Sequence, residues 1–454
     1  MPMAPTASRM SPKGTAMFQY YFMLGLRSLR RNPALTALMV LTLAIGVAAS
    51  IATLTILHVM SGDPIPSKSD RLFVPLIDNG PLEGWSPADG PNDKQISYRD
   101  AVNLLNSKAG ERRTAIYGIA VAIEPARKDI GVFNASGIAP GGDFFNMFEA
   151  PFLHGQGWSP ADDKAGADVV VLSRKLSEKL YGDANPVGQR MTMGGFQYQI
   201  VGVLDTWNVV PRFHRVIGAR DGAFSEEDEL YIPFSSAIRH EMQRNGSTSC
   251  SGDTGPGFQA FLDSECTWIQ FWFETRSGAD RAELQSFLDS YAIEQRKLGR
   301  LKRNAPNMLY DVREWLDYLK VVANDSKLSA WLAFGFLVLC LVNTIGLLLA
   351  KFSVRAAEVG IRRALGASRK EIFSQFLIET TVVGLAGGVL GLLLAFGALA
   401  LLAMQSKALT LVAHMDWVML LTTFALAVLS AILAGLLPTW RACQVTPALQ
   451  LKSQ

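Results

Sequence analysis

Between Lys351 and Glu379 the chain reads KFSVRAAEVGIRRALGASRKEIFSQFLIE, a short stretch with six basic residues and a long uncharged run on each side. Charges so placed suit electrostatic docking of a partner rather than bond-making chemistry. Val354, Ile361, Leu365 and Ile372 recur at helical spacings, while Arg355, Glu358, Arg362, Arg363 and Arg369 fill much of the remaining surface. Glu358 precedes Arg362 by four residues, the favourable order for an ion pair along a helix. Gly366 is a helix stop, and Ser368 with Glu371 reads as a capping box opening a second helix. The spacing thus predicts a helix, a tight break and a second helix that enters a membrane.

Catalytic constellations are missing from the sequence. No G-x-x-x-x-G-K-[ST] occurs, and Gly366-Ala-Ser-Arg-Lys has the wrong spacing and no preceding strand. No cofactor is therefore expected on this chain, and ATP, if used, is expected on another polypeptide. The histidines (His58, His154, His214, His240, His414) include no pair at i, i+3 or i+4, so metal ligation is not expected. No G-x-S-x-G or H-E-x-x-H occurs either. The acidic run Glu226–Glu229 lacks EF-hand spacing and reads as a solvated loop. Cys250 and Cys266 flank a Gly/Ser-rich loop; a disulfide there would close 15 intervening residues and contribute about 3 kcal/mol. Cys340 and Cys443 are expected as free thiols.

Four windows without Asp, Glu, Lys or Arg are long enough to span a bilayer: Asn32–Gly62, Leu328–Ala350, Thr380–Ser406 and Trp417–Trp440. The expected fold is an α-helical membrane protein with four transmembrane helices and a large mixed α/β extracytoplasmic domain between the first two. Charge follows this division: residues 61–327 hold 29 basic and 36 acidic residues, net −7, and the rest holds 14 and 4, net +10. The basic N-terminal segment and the basic 351–379 loop place both termini and that loop in the cytoplasm. Beside spans, these cations read as membrane-surface groups rather than nucleic-acid ligands. The first apolar run is about twice the length of a signal core and reads as a retained anchor.

Along the chain, Phe18–Arg31 has the pattern of an interfacial helix, and Asn32-Pro33 opens the first span. Tyr98–Ser107 reads as helix, Thr114–Ile123 and Ile130–Gly137 as strands. Asp168–Leu204 reads as strand, helix (Ser173–Tyr181), turn, and a hairpin around Gly194-Gly195. Tyr231-Ile-Pro-Phe and Thr267–Thr275 read as strands and Asp280–Leu298 as helix. Asn304–Ala350 reads as a nearly continuous helix, a stalk running into the second span. Gly384, Gly387, Gly388 and Gly391 stand in small-xxx-small spacing, suited either to packing inside one subunit or to a subunit interface. The uncharged windows contain no Asp, Glu, Lys or Arg, which argues against an ion-coupled carrier or a channel.

Three stretches together resemble the MacB/FtsX-like permeases of ABC transporters. They are Leu26–Ser50; Asp168–Leu204 with Tyr231-Ile-Pro-Phe, similar to a MacB-type periplasmic core domain; and EVGIRRALGASR (Glu358–Arg369) with PTWRACQVTPALQL (Pro438–Leu451). Residues 208–228 and 241–266 fit that pattern least well. The resemblance implies an inner-membrane permease dimer, homo- or heteromeric, served by a separate cytoplasmic ATPase and open to a periplasmic adaptor. Motion of the ATPases is passed to the external domains by mechanotransmission. It places Glu358, Ile361, Arg362, Arg363, Leu365 and Gly366 in the coupling helix that seats in the ATPase. The expected division is 1–31 cytoplasmic segment, 32–61 first span, 62–306 periplasmic core domain, 307–351 stalk and second span, and 352–375 coupling helix. There follow 376–405 third span, 406–415 periplasmic loop, 416–438 fourth span and 439–454 cytoplasmic tail. Two alternatives remain open at this point: an FtsX-type scaffold that activates a cell-wall hydrolase, and a sensor of antimicrobial peptides.

Overall fold

The computed structural model describes residues 32–86, 94–207, 209–219, 222–322 and 324–405, with separate positions between 410 and 440. The helix expected at Phe18–Arg31, most of the expected loop at 406–415 and much of the fourth apolar run lie outside the described residues, as do His414, Cys443 and residues 441–454 of the tail. The chain divides into two compact units: Met60–Val322, and the residues up to Val59 together with those from Ala323 on.

Helix α1 (Pro33–Ser61) is the first element in chain order among the described residues. Pro33 takes the first helical position, where a missing N–H costs nothing, and the Thr36 amide donates to the Asn32 carbonyl at 3.1 Å.

The Met60–Val322 unit begins with β1 (Leu72–Leu76), β2 (Ile96–Ser97), α2 (Tyr98–Leu105), β3 (Arg112–Glu124) and β4 (Phe133–Pro140). It continues through α3 (Phe144–Met147), β5 (Phe152–Gly155), α4 (Pro160–Ala165), β6 (Val169–Leu172), α5 (Arg174–Tyr181), β7 (Arg190–Met193) and β8 (Phe196–Leu204). The last elements are β9 (Leu230–Tyr231), α6 (Phe234–Arg239), α7 (Phe258–Asp263), β10 (Thr267–Glu274), α8 (Arg281–Lys297), β11 (Met308–Asp311) and α9 (Val312–Tyr318).

The strands form one mixed sheet in the order β11-β1-β10-β3-β4-β9-β6-β8-β5, with β2 on β10 and β7 bridging β3 and β8. Pairing is antiparallel except for β4 with β9 and β6 with β8. Apolar cores lie on both faces, which explains why β10 is buried along its whole length: Ile269, Phe271 and Phe273 face one core and Trp272 the other. The β7–β8 hairpin turns on Gly194 (φ 59°) and Gly195 (φ 82°), a conformation that two glycines adopt without strain. Ser173 caps α5 by accepting the Leu176 amide, and Gly182 follows its end.

The second half of the other unit comprises α10 (Asn324–Val354), α11 (Ala356–Ala364) and α12 (Arg369–Ala403). Helix α1, residues Ser326–Val354 of α10, and α12 are long and apolar enough to cross a membrane. They approach closely at small residues. A Cβ on Gly46 would stand 2.8 Å from Cys340 Cβ, and one on Gly391 would stand 2.9 Å from the Ala44 carbonyl.

Two expectations are corrected. Asn304–Ala350 is not a continuous helix. Met308–Asp311 is extended because it pairs with β1, and Asp311 then caps a separate helix α9. That helix stops before Lys320 (φ 51°), and α10 begins only at Asn324. Nor is Glu226–Glu229 a solvated loop. Asp228 is buried between Arg212 and Arg215, and Glu229 accepts the Ser136 amide at 2.8 Å.

Candidate functional site

The loop between α10 and α12 is built from its cap residues outward. Arg355 (φ −94°, ψ 4°) interrupts the helix after Val354, and α11 runs to Ala364. Gly366 takes φ 102°, a conformation costly for any side-chain-bearing residue, and the amides of Gly366 and Ala367 donate back to Arg363 and Arg362. Ser368 and Glu371 form the reciprocal capping box that starts α12. Arg362 reaches Glu358 at 2.7 Å and the Gln375 side chain at 3.0 Å, fastening α11 to the first turns of α12.

The apolar residues of this loop do not share one buried face. Val354, Ile361 and Leu365 are 82%, 58% and 84% exposed, whereas Ile372 is buried. The inward side is Val359, packed in a cluster with Phe352, Ile372, Phe376, Met39, Leu348 and Val383. The loop therefore presents Ile361 and Leu365 beside arginines to the outside. Such a surface can bury apolar area against a partner and orient it by charge.

Sequence windows cut at charged residues hid the most buried charges of this unit. Lys351 and Glu379 lie inside α10 and α12, and the Lys351 Nζ stands 2.8 Å from Glu379 Oε1 with both side chains almost wholly buried. Arg355 Nη1 lies 3.2 Å from each oxygen of the same carboxylate. One signal was available: Ile372, Phe376, Glu379 and Val383 are spaced as one helical face.

Gly384, Gly387, Gly388 and Gly391 are all buried on α12. A Cβ on Gly387 would meet Leu43 at 2.8 Å, so Gly387 and Gly391 lie against α1 of the same chain. Cys250 and Cys266 are joined by a disulfide, next to the backbone pair of Ser249 with Thr267 that leads into β10. Among the described residues Cys340 is the free cysteine and is buried.

The sheet unit carries two buried ionic networks. Burial would raise the Asp100 carboxyl, but Arg300 (2.9 Å to each oxygen), Asn79 and Ser97 hold it below the usual carboxylate range. Asp228 behaves alike: burial works against its charge, and Arg212 and Arg215 keep its pKa below the ordinary value. Beside it, burial and then Arg212 push His214 well below its ordinary value, so the ring is neutral and stacks on Trp207 at 5.0 Å. Glu227, the next carboxylate, is pushed up by burial to about 7. A cavity of about 490 Å³ opens between α2 and α6, lined by Tyr98, Arg113, Asp143, Asp163 and Phe234 among others. Its carboxylates are already engaged, Asp163 by Ser235 and the Gly142 amide, Asp143 by the Arg113 amide. They serve the packing of α4 and α6 and of β3.

Two family models match the chain: the MacB-like periplasmic core domain over residues 36–291 and the FtsX-like permease C-terminal domain over residues 330–447. The chain is 26% identical over 379 residues to the pyoverdine export ATP-binding/permease protein PvdT of Pseudomonas fluorescens, covering 82% of this chain and 50% of that protein. It is 25% identical over 415 residues to the macrolide export ATP-binding/permease protein MacB of Agrobacterium fabrum, covering 90% and 57%. The chain thus spans about half the length of the curated relatives it matches. The periplasmic region of MacB from Actinobacillus actinomycetemcomitans aligns with 57% of this chain and 96% of that one, at 14% identity and a TM-score of 0.35, a likeness too slight to decide anything. The first family model alone covers more than half of the residues and the second takes in the loop whose geometry is given above, so the chain belongs to the MacB/FtsX-like permeases of ABC transporters.

Proposed function

We propose that the chain is the membrane subunit that converts ATPase motion into work on a substrate outside the cytoplasm. In this reading the protein lies in the inner membrane, with four spans, both termini and the α10–α12 loop cytoplasmic, and the Met60–Val322 unit periplasmic. Glu358, Ile361, Arg362, Arg363, Leu365 and Gly366 seat in a cytoplasmic ABC ATPase that residues 1–454 do not contain, and this chain binds no cofactor and catalyses no reaction. A second permease chain completes the dimer. Export of a small molecule is the favoured task, since the relatives named above are export proteins.

The observation that carries the reading is the outward exposure of Ile361 and Leu365 on a short helix braced at both ends. Coupling then requires that ATP binding favour one arrangement of the loop over another. In this reading the motion does not pass along one continuous helix, since α9 ends at Tyr318 and α10 begins at Asn324. The test is Arg362→Glu with Leu365→Asp in the assembled complex: permease-stimulated ATP hydrolysis should be lost while membrane insertion is kept. Stimulation at the level of the unaltered complex would remove the assignment.

A further inference from the structure

Helix α10 breaks at a single residue, and that residue's side chain is tied to the far helix. Arg355 is the interruption between α10 and α11, and its guanidinium lies 3.2 Å from both oxygens of Glu379. Glu379 also holds Lys351, one turn before the break, at 2.8 Å. Phe352 packs against Phe376, ring centres 4.4 Å apart and tilted by 46°, so an aromatic contact joins the same two helices.

A carboxylate with 2% of its side chain exposed, in an otherwise apolar helix face, is a poor means of holding helices together. Apolar residues of similar volume usually do that at least as well, because desolvating the ions cancels much of their attraction. What apolar residues cannot do is hold a guanidinium nitrogen by charge, as the two oxygens of Glu379 hold Arg355 Nη1.

We propose that Glu379 is a positioning residue that sets the angle at which α11 leaves α10. It does so by anchoring Arg355, while Lys351 holds the carboxylate in place. The clamp stands on geometry within one unit; its consequence for coupling rests on the function proposed above.

The experiment is hydrogen–deuterium exchange on the full chain in lipid nanodiscs. The double variant Lys351→Met with Glu379→Leu keeps the apolar packing and removes the anchor. It should raise exchange over residues 356–366 at least about tenfold and leave residues 380–395 unchanged. Arg355→Ala should give the same rise, and adding it to the double variant should give no further rise. Unchanged exchange over 356–366 in the double variant would overturn the clamp. So would an equal rise over 380–395, which would make the pair a packing element only. In the complex with its ATPase, a loosened 356–366 segment with stimulation intact would uphold the clamp and sink the coupling role assigned to α11.

Discussion

Replacing Asp228 by alanine tests whether the segment around Arg212, Arg215 and Asp228, in one of the two stretches least like the family pattern, is held by charge. Asp228 takes Arg212 at 2.6 Å through one oxygen and Arg215 through the other, and all three side chains are at most 6% exposed. Removing the carboxylate strands two buried guanidiniums, and breaking a buried pair in this way costs about 3–5 kcal/mol. For a unit of this size each kcal/mol lowers the melting temperature by roughly 2–4 °C, so the shift should be roughly 6–20 °C. Tryptophan fluorescence of the solubilised full chain is a suitable readout, because Trp207 stacks on His214 beside the triad and Trp272 lies against Phe148 and Phe213. Asp228→Asn, which keeps the shape and removes the charge, should retain most of the loss. Glu178→Ala, in an exposed pair, should shift nothing measurable. Because the folded-state pKa of Asp228 is depressed, the stability it contributes is present above its unfolded value near 4 and is lost as pH falls through the folded one. The gap between the unaltered protein and Asp228→Asn should therefore be full at pH 7 and close only below about pH 4. A shift under about 2 °C for Asp228→Ala, or a gap that closes near pH 6, would refute the charge argument.

Two further outcomes follow from packing. Gly391→Leu should destabilise the membrane unit by about 1–3 kcal/mol in a detergent melt, because its Cβ would meet the Ala44 backbone carbonyl at 2.9 Å. Gly397→Ala, where a Cβ meets open space, should not. Cys250→Ser with Cys266→Ser should cost about 3 kcal/mol by the loop-closure estimate, read as a lower melting temperature that reducing agent mimics in the unaltered protein.

The sheet unit was most legible where local rules and tertiary packing agree. Ser173 as cap, Gly194-Gly195 as hairpin turn and the alternation of Thr267–Thr275 each appear as α5, the β7–β8 turn and β10. Legibility ended where a partner far along the chain decides. Met308–Asp311 is extended only because β1 is there to pair with it. Asp228 is buried only because Arg212 and Arg215 precede it by 16 and 13 positions across an irregular segment. A run of four acidic residues carries no trace of which one has an arginine waiting.

In the membrane unit the loss has a different cause. Searching for uncharged windows ends each window at its first charge, so Lys351 and Glu379 fell just outside the windows although the helices continue to Val354 and begin at Arg369. The inference that the spans hold no Asp, Glu, Lys or Arg therefore fails, by one residue at the end of the second window and one at the start of the third. Its consequence survives for a physical reason. A carrier needs a group that can exchange its ion with the medium, whereas Glu379 is nearly closed to solvent and lies within 3.2 Å of two cations. What the sequence hid is thus a fixed anchor for Arg355 rather than a site of ion passage.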